Sequence, residues 1–346
     1  MPFGDHTLLL LEEGSLVAFG ANAKGQLGLG HRNDRKEAAE VPWEGPRVVQ
    51  VDWGCFHSLL LDEEGGVWET GLCRSSSPLV LFQRVPELPV ITSVAAGCYH
   101  SAAVDEEGSL WLWTSKSSLS WACSTPQQVQ SISALYKVAC GYDFLVGEAF
   151  EGLWVLGDNS FGQLGLGHTN DVPQPTLLHG TFHSEGLLRG VAAFNHGILL
   201  IDSQGAAFTA GSNTYGQLGR SGDETTFQKI GSLPSLFIAS CGSHHTLALD
   251  EMHRVWSWGL NWHGRLGNRG SLSHPSLLDC SEEVEAVLAG GKHSLVFQSD
   301  RRLLVFGAND SGQLGLSKTN QLRPTYSTLA QALPNQIARR QKSARF

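Results

Sequence analysis

The sequence predicts an all-β fold, a seven-bladed β-propeller of four-stranded blades whose ring is closed by pairing N- and C-terminal strands. Three observations predict it. One phrase recurs five times: FGANAKGQLGLG (19–30), LGDNSFGQLGLG (156–167), AGSNTYGQLGR (210–220), WGLNWHGRLGN (258–268) and FGANDSGQLGL (306–316). A second phrase, a Gly-x-x-His-Ser/Thr type followed by an apolar run and an acidic turn, alternates with it, as in GCFHSLLLDEEG (54–65). Its marker positions, His6, His57, His100, Phe144, His196, His245 and His293, lie 51, 43, 44, 52, 49 and 48 residues apart. Self-similarity at such a period means a propeller, a solenoid or an array.

Each unit reads as four strands. A small-apolar run opens it: VVQVDWG, ITSVAAG, LYKVACG, LFIASCG or VEAVLAG. The marker then starts a second run, such as HSLLLD. A tight turn, Asp62–Gly66, leads to a third run, GGVWETG, so the pair is a hairpin. A Pro-bearing stretch after the GQLG phrase, such as DVPQPTLL, is the fourth. Amphipathic 3.6-residue periodicity is missing, which argues against helical solenoids. The first unit begins almost at His6 and lacks its opening strand. One period beyond His293 falls near ~342, so Gln336–Ala338 is predicted to supply that strand and remove a sheet edge. Residues 1–340 then form one propeller domain and 341–346 a basic tail.

Within the GQLG phrase, Gly20, Gly25, Gly28 and Gly30 read as turn residues. Asn22 and Gln26 are expected to bridge backbone groups between blades, and Leu27 to plug the gap between sheets. A phosphate cradle would need a following helix N-terminus with Lys or Ser at fixed spacing, and neither is present. The marker histidines spread around a ring and cannot converge on one ion, and Cys55-x-His57 and Cys98-x-His100 offer two ligands each. Buried imidazoles satisfied by backbone are expected instead, with no metal, no cofactor and no catalytic constellation. Trp68, Trp111, Trp113, Trp154, Trp256 and Trp258 read as sheet packing, and Asp62-Glu63-Glu64 and Asp105-Glu106-Glu107 as solvated hairpin tips.

Composition narrows the class. Seven cysteines, an odd number at scattered repeat positions, argue against a disulfide framework and for a reducing compartment. No apolar run approaches the ~20 residues of a membrane span, and no signal-peptide pattern opens the chain. The expectation is an intracellular, cytoplasmic monomer, with a nuclear location open. The net charge is −9. Six basic residues and no acidic one lie from Lys318 to Phe346, which leaves −15 for residues 1–317. Such a body repels a phosphate backbone, so nucleic acid is not an expected partner. The tail reads as a solvated terminus or a contact for an anionic partner.

The alternation of Gly-x-x-His-Ser/Thr with Trp/Phe-Gly-x-Asn-x-x-Gly-Gln-Leu-Gly resembles the regulator of chromosome condensation repeat family over nearly the whole chain. The resemblance implies the seven-bladed propeller but no single activity. The family holds an exchange factor for the small nuclear GTPase Ran, domains of giant ubiquitin ligases, ciliary scaffolds, a plant ultraviolet-B receptor and a β-lactamase inhibitor. That receptor has Trp at the two positions between Gly and His. Here those positions hold Cys55-Phe56, Cys98-Tyr99, Tyr142-Asp143, Phe194-Asn195, Ser243-His244 and Gly291-Lys292, so light sensing is not expected.

These pairs join the first two strands of each blade and should open on one face around the channel. The candidate partner-binding residues are Phe56, Tyr99, Tyr142, Asp143, Phe194, Asn195, His244 and Lys292, with Trp53 added where the family has a small residue. Their rings either form a binding collar or pack between blades. Units two and three lack GQLG and carry Ser-rich loops, which fits drift or a partner surface. The expected function is a non-catalytic protein–protein interaction propeller. The alternative is a guanine nucleotide exchange factor for a small Ras-like GTPase. The family's founding exchange factor uses a protruding wedge, for which Gly180–Arg189 offers the only modest space.

Overall fold

The computed structural model describes residues 4–327 apart from 12–13, 75–76, 115–122, 133, 179–186, 271, 281 and 317–319. These residues form seven antiparallel sheets. Six have four strands in sequence order, and the first has three, His6–Leu10, Leu16–Gly20 and Arg35–Glu40. The strand expected from Gln336–Ala338 lies outside the described residues. The opening strands Val48–Trp53, Ile91–Ala96, Leu135–Cys140, Gly190–Phe194, Leu236–Cys241 and Val284–Ala289 lie innermost, each against its neighbours in adjacent blades.

Burial is greatest one strand out from the hub, the innermost strands being partly exposed, and falls toward the rim. The second strands, such as His57–Asp62, are buried at every position because neighbouring blades cover both faces. They read as continuous apolar runs for that reason. The fourth strands, such as Arg35–Glu40, are mostly exposed and polar. Seven apolar clusters fill the ring, most of them spanning a seam between blades. Leu27 plugs one seam as expected: it is fully buried with Leu8 of its own blade and Val48 and Leu60 of the next. Burial of one such leucine contributes roughly 1.5–3 kcal/mol.

The ring closes between blades seven and one. Leu295, Val305 and Leu314 pack with Leu9, Val17 and Phe19. His293 Nε2 meets Thr7 Oγ1 at 2.8 Å, and the Gly291 N–H donates to the Gly4 carbonyl at 3.2 Å. The same latch recurs elsewhere. Ser58 Oγ donates to the Gln26 carbonyl (2.8 Å), Ser294 Oγ to Arg265 (2.7 Å) and Thr7 Oγ1 to Gln313 (3.0 Å). Each hydroxyl has one hydrogen, spent on that carbonyl, so the imidazole facing it must donate its Nε2–H. His6 does so to Ser58 at 3.0 Å and His245 to Ser294 at 2.9 Å.

Several expectations are corrected here. The marker histidines are buried, but at these seams a hydroxyl of the next blade satisfies them rather than backbone. The Asn22 and Gln26 side chains do not bridge blades. Asn22 Oδ1 accepts from Leu27 N–H, its Nδ2 donates to the His31 carbonyl, and Gln26 Oε1 accepts from Lys24 N–H. The short amides reach only their own loop, and the main-chain carbonyl of Gln26 makes the bridge. Asp62 and Asp105 are not solvated tips but buried acceptors. Asp62 takes the N–H groups of Glu64 and Gly66 and the Trp68 indole N–H (2.8 Å). Asp105 does the same with Trp111 (2.9 Å). The third strand's indole thus doubles as a hydrogen-bond donor.

Candidate protein-binding face

Strand order puts two loop sets on one face: those joining first to second strands, and the GQLG loops that follow the third. Backbone bonds tie the first set together around the hub. Cys98 N–H donates to the Tyr142 carbonyl (3.3 Å), Tyr142 N–H to Asn195 (3.1 Å) and Ser243 N–H to Gly291 (3.3 Å). Side chains on these loops therefore stand at fixed spacing.

Four of the aromatic and imidazole side chains come together as an arc. Phe56 and Tyr99 have ring centroids 5.3 Å apart, Tyr99 and Tyr142 meet edge-on at 6.0 Å, and Tyr142 lies 5.6 Å from His196. All four are half-buried. Phe161, from a GQLG loop, extends the arc at 4.6 Å from His196. Farther round, His244 meets Tyr215 edge-on at 5.3 Å. Burial first, then the charges of Arg265 and His196, push the His244 imidazole down to about 4. Lys292 is exposed and paired with Asp5 at 2.8 Å across the closing seam. Asp143 and Asn195 are half-buried beside the arc.

Two candidates are corrected. Trp53 is 3% exposed and packs with Leu8 and Leu60 between blades one and two, because it ends an innermost strand facing the neighbouring sheet. Phe194 is 1% exposed. The fifth blade's second strand starts at Gly197, which pairs with Gly211 as His57 pairs with Gly71. The marker is therefore Gly197, and Phe194 occupies the position held elsewhere by glycine. A Cβ at Gly197 would stand 2.0 Å from the Phe194 ring, just as one at Gly97 would stand 2.2 Å from His100. Ring and glycine have exchanged places, which moves His196 out of the buried series onto the face.

The sequence reading missed His196, Phe161 and Tyr215. The latter two were legible: both immediately precede GQLG, where the first blade has Lys24. It also missed Glu69, a buried carboxylate on the seam between blades two and three. Glu69 accepts the Trp113 indole N–H (3.0 Å) and pairs with Arg74. At the collar end of that seam, Cys55 and Cys98 form a disulfide, with Cα atoms 4.6 Å apart. The cysteine count argued against a disulfide framework, and this single bridge, which was not anticipated, leaves the other five cysteines free. Equivalent loop positions in adjacent blades are neighbours in space, which a count along the chain does not show. Among the described residues no group of three His, Cys, Asp or Glu side chains converges as a metal site, and no helix is long and apolar enough to cross a membrane.

Comparison with known proteins agrees with this architecture. The chain is 38% identical over 68 residues to the RCC2 homolog of Xenopus laevis, covering 19% of this chain and 13% of that protein. It is 34% identical over 262 residues to the probable E3 ubiquitin-protein ligase HERC6 of Homo sapiens, covering 70% and 21%. The chain thus spans a minor part of the length of both relatives. The crystal structure of Prp20p from Saccharomyces cerevisiae superposes with a TM-score of 0.78 at 18% identity, covering 94% of this chain and 87% of that one. A family model described as an RCC1-like domain matches residues 3–296. The chain belongs to the RCC1-like domain family.

Proposed function

We propose that this propeller is a non-catalytic protein-binding module whose collar face holds the partner. The observation that carries it is the contiguous arc of half-exposed rings from Phe56 to Phe161 on a rigid, backbone-bonded rim. Aromatic side chains that keep exposure on a fixed scaffold are the raw material of binding hot spots. Prp20p, which shares the fold, has recorded binding properties toward Gsp1p and histones, which supports a regulatory, partner-binding role.

The second reading is guanine nucleotide exchange on a small Ras-like GTPase, favoured by the family itself. The protruding wedge it requires has its modest space at Gly180–Arg189. Residues 180–186 lie outside the described residues, while Arg189 is tied by its Nε to the Ser203 carbonyl at 2.9 Å. One experiment separates the readings. Nucleotide release from a panel of Ras-like GTPases is followed with and without the protein, and the bound partner is recovered on immobilised wild type and Phe161→Ala. Unchanged release with capture that weakens in the variant is expected. Accelerated release from any panel member reverses the order of the two readings, and capture indifferent to Phe161→Ala removes the collar from the first.

A further inference from the structure

The arc across blades two to five has a chemical bias that its rings alone do not show. Two carboxylates flank it. Asp143 follows Tyr142 on the same loop. Asp158 places Oδ2 3.7 Å from His196 Nδ1 and accepts hydrogen bonds from Ser160 N–H (3.1 Å) and Gln163 Nε2 (2.7 Å). Burial alone would raise the Asp158 carboxyl, but the neighbouring His196 imidazole and the hydrogen bonds from Ser160 and Gln163 outweigh it and hold the group well below the usual carboxylate range. The Tyr142 phenol is pushed up by burial, by its contact with Tyr99 and by the Asp143 charge. Tyr142 therefore stays neutral while Asp158 stays anionic.

The loop pairs of this arc, Cys55-Phe56, Cys98-Tyr99, Tyr142-Asp143 and Asn195-His196, carry no lysine or arginine. Of the cations on this face, Arg74 pairs with Glu69, Lys292 pairs with Asp5, and Arg265 is buried. The body behind them carries −15 over residues 1–317. Ring faces are negative poles of a quadrupole and attract cations. An anionic side chain placed here would meet repulsion, and an apolar one would desolvate carboxylates without compensation. A guanidinium satisfies both features: its plane stacks on a ring while its edge donates to a carboxylate, which the compact ammonium of lysine does less well.

We infer that the Phe56–Tyr99–Tyr142–His196–Phe161 arc, with Asp143 and Asp158, receives an arginine side chain from an extended basic segment of a protein partner. This rests on the collar being the binding face and adds the chemistry of what enters it.

The test uses the full chain and a fluorescein-labelled peptide, Gly-Ser-Arg-Gly-Ser-Arg, followed by anisotropy. Citrulline and lysine versions of the peptide serve as comparators. Citrulline keeps the shape of arginine and removes its charge. The arginine peptide should bind about tenfold more tightly than the citrulline peptide, with the difference shrinking as salt rises. Asp143→Asn, a near-isosteric change, and Phe161→Ala, at a residue 42% exposed, should each weaken the arginine peptide several-fold while leaving the urea unfolding midpoint in place. Equal binding of arginine and citrulline peptides, equal binding of the lysine peptide, or indifference to both variants overturns the inference. No binding of the arginine peptide beside Phe161-dependent capture of a protein partner overturns it too, and leaves the protein-binding reading standing.

Discussion

At Gly197 and Phe194 a single exchange shows how tightly the repeat is specified. In other blades the glycine two residues before the loop's end leaves room for the marker imidazole, and here the two roles are swapped. The space is filled once, by one ring from one side. Adding a methyl group at Gly197 places it 2.0 Å from Phe194 Cζ. Gly197→Ala is therefore expected to destabilise the fold by about 2 kcal/mol, the scale of overpacking in a tight core. Phe194→Gly combined with Gly197→His restores the arrangement of the other blades, and should recover part of the loss expected from the two single changes added together. Urea unfolding of the three variants measures this. Strict additivity would mean that the two positions do not share one space.

Between blades, the elements are joined by devices that differ from seam to seam. The seams between blades one and two, six and seven, and seven and one use the imidazole–hydroxyl–carbonyl latch. At the seam between blades two and three, His57 still meets Ser101 at 3.0 Å, but unit two lacks the GQLG carbonyl. The Trp113–Glu69 bond and the Cys55–Cys98 disulfide hold that seam instead. The disulfide closes a loop of 43 residues, nearly one whole blade, for which the loop-entropy estimate gives about 4 kcal/mol. A reductant is accordingly expected to lower the unfolding free energy by up to that amount, and to change nothing in the Cys55→Ser/Cys98→Ser protein. The measurement is the urea midpoint with and without reductant; an equal response in both proteins would assign the stabilisation elsewhere. The same bond also holds the chain beside Phe56 and Tyr99, which stand 5.3 Å apart at the start of the arc.

Across the whole molecule, the seams share one vulnerability, which is acid. Burial first of all pushes the imidazoles down, to about 3 for His6 and His100 and to about 4 for His57 and His293, against 6.5 when exposed. In this direction the unfolded chain binds more protons than the folded one once pH drops below 6.5. The stability these neutral rings contribute is thus complete above pH 6.5 and lost as pH falls toward 4. Each ring adds a slope of up to about 1.4 kcal/mol per pH unit. The urea midpoint should fall steeply between pH 6.5 and 4.5, and less steeply in a His57→Phe variant, which copies the Phe144 marker of blade four. A midpoint flat over that range would show that the rings are solvated.

Much of this molecule was legible along the chain. The two phrases gave the seven units, the strand order and the face on which the loops emerge, because each depends on residues close in sequence: hairpin turns, apolar runs and glycines. Leu27 was read correctly because a buried leucine at a recurring position has few other uses. Asp62 and Asp105 were misread although their partners lie within six residues, and other readings that failed concern contacts between neighbouring blades. Whether Asn22 reaches the next blade, whether Cys55 finds Cys98 and what satisfies His6 all depend on the distance between neighbouring sheets. That distance is set by packing, and no local pattern encodes it.

The collar lies at this boundary. By itself the sequence determined a propeller of the RCC1-like kind, with aromatic and polar residues at the loop positions. Only the tertiary structure decided which of them reach the surface. It buried Trp53 and Phe194 and brought out His196 and Phe161. The physical reason is packing: ring and glycine trade places at Phe194 and Gly197 within an unchanged register, and Trp53 is covered by the adjoining blade, both fixed by how side chains fill the space within and between sheets.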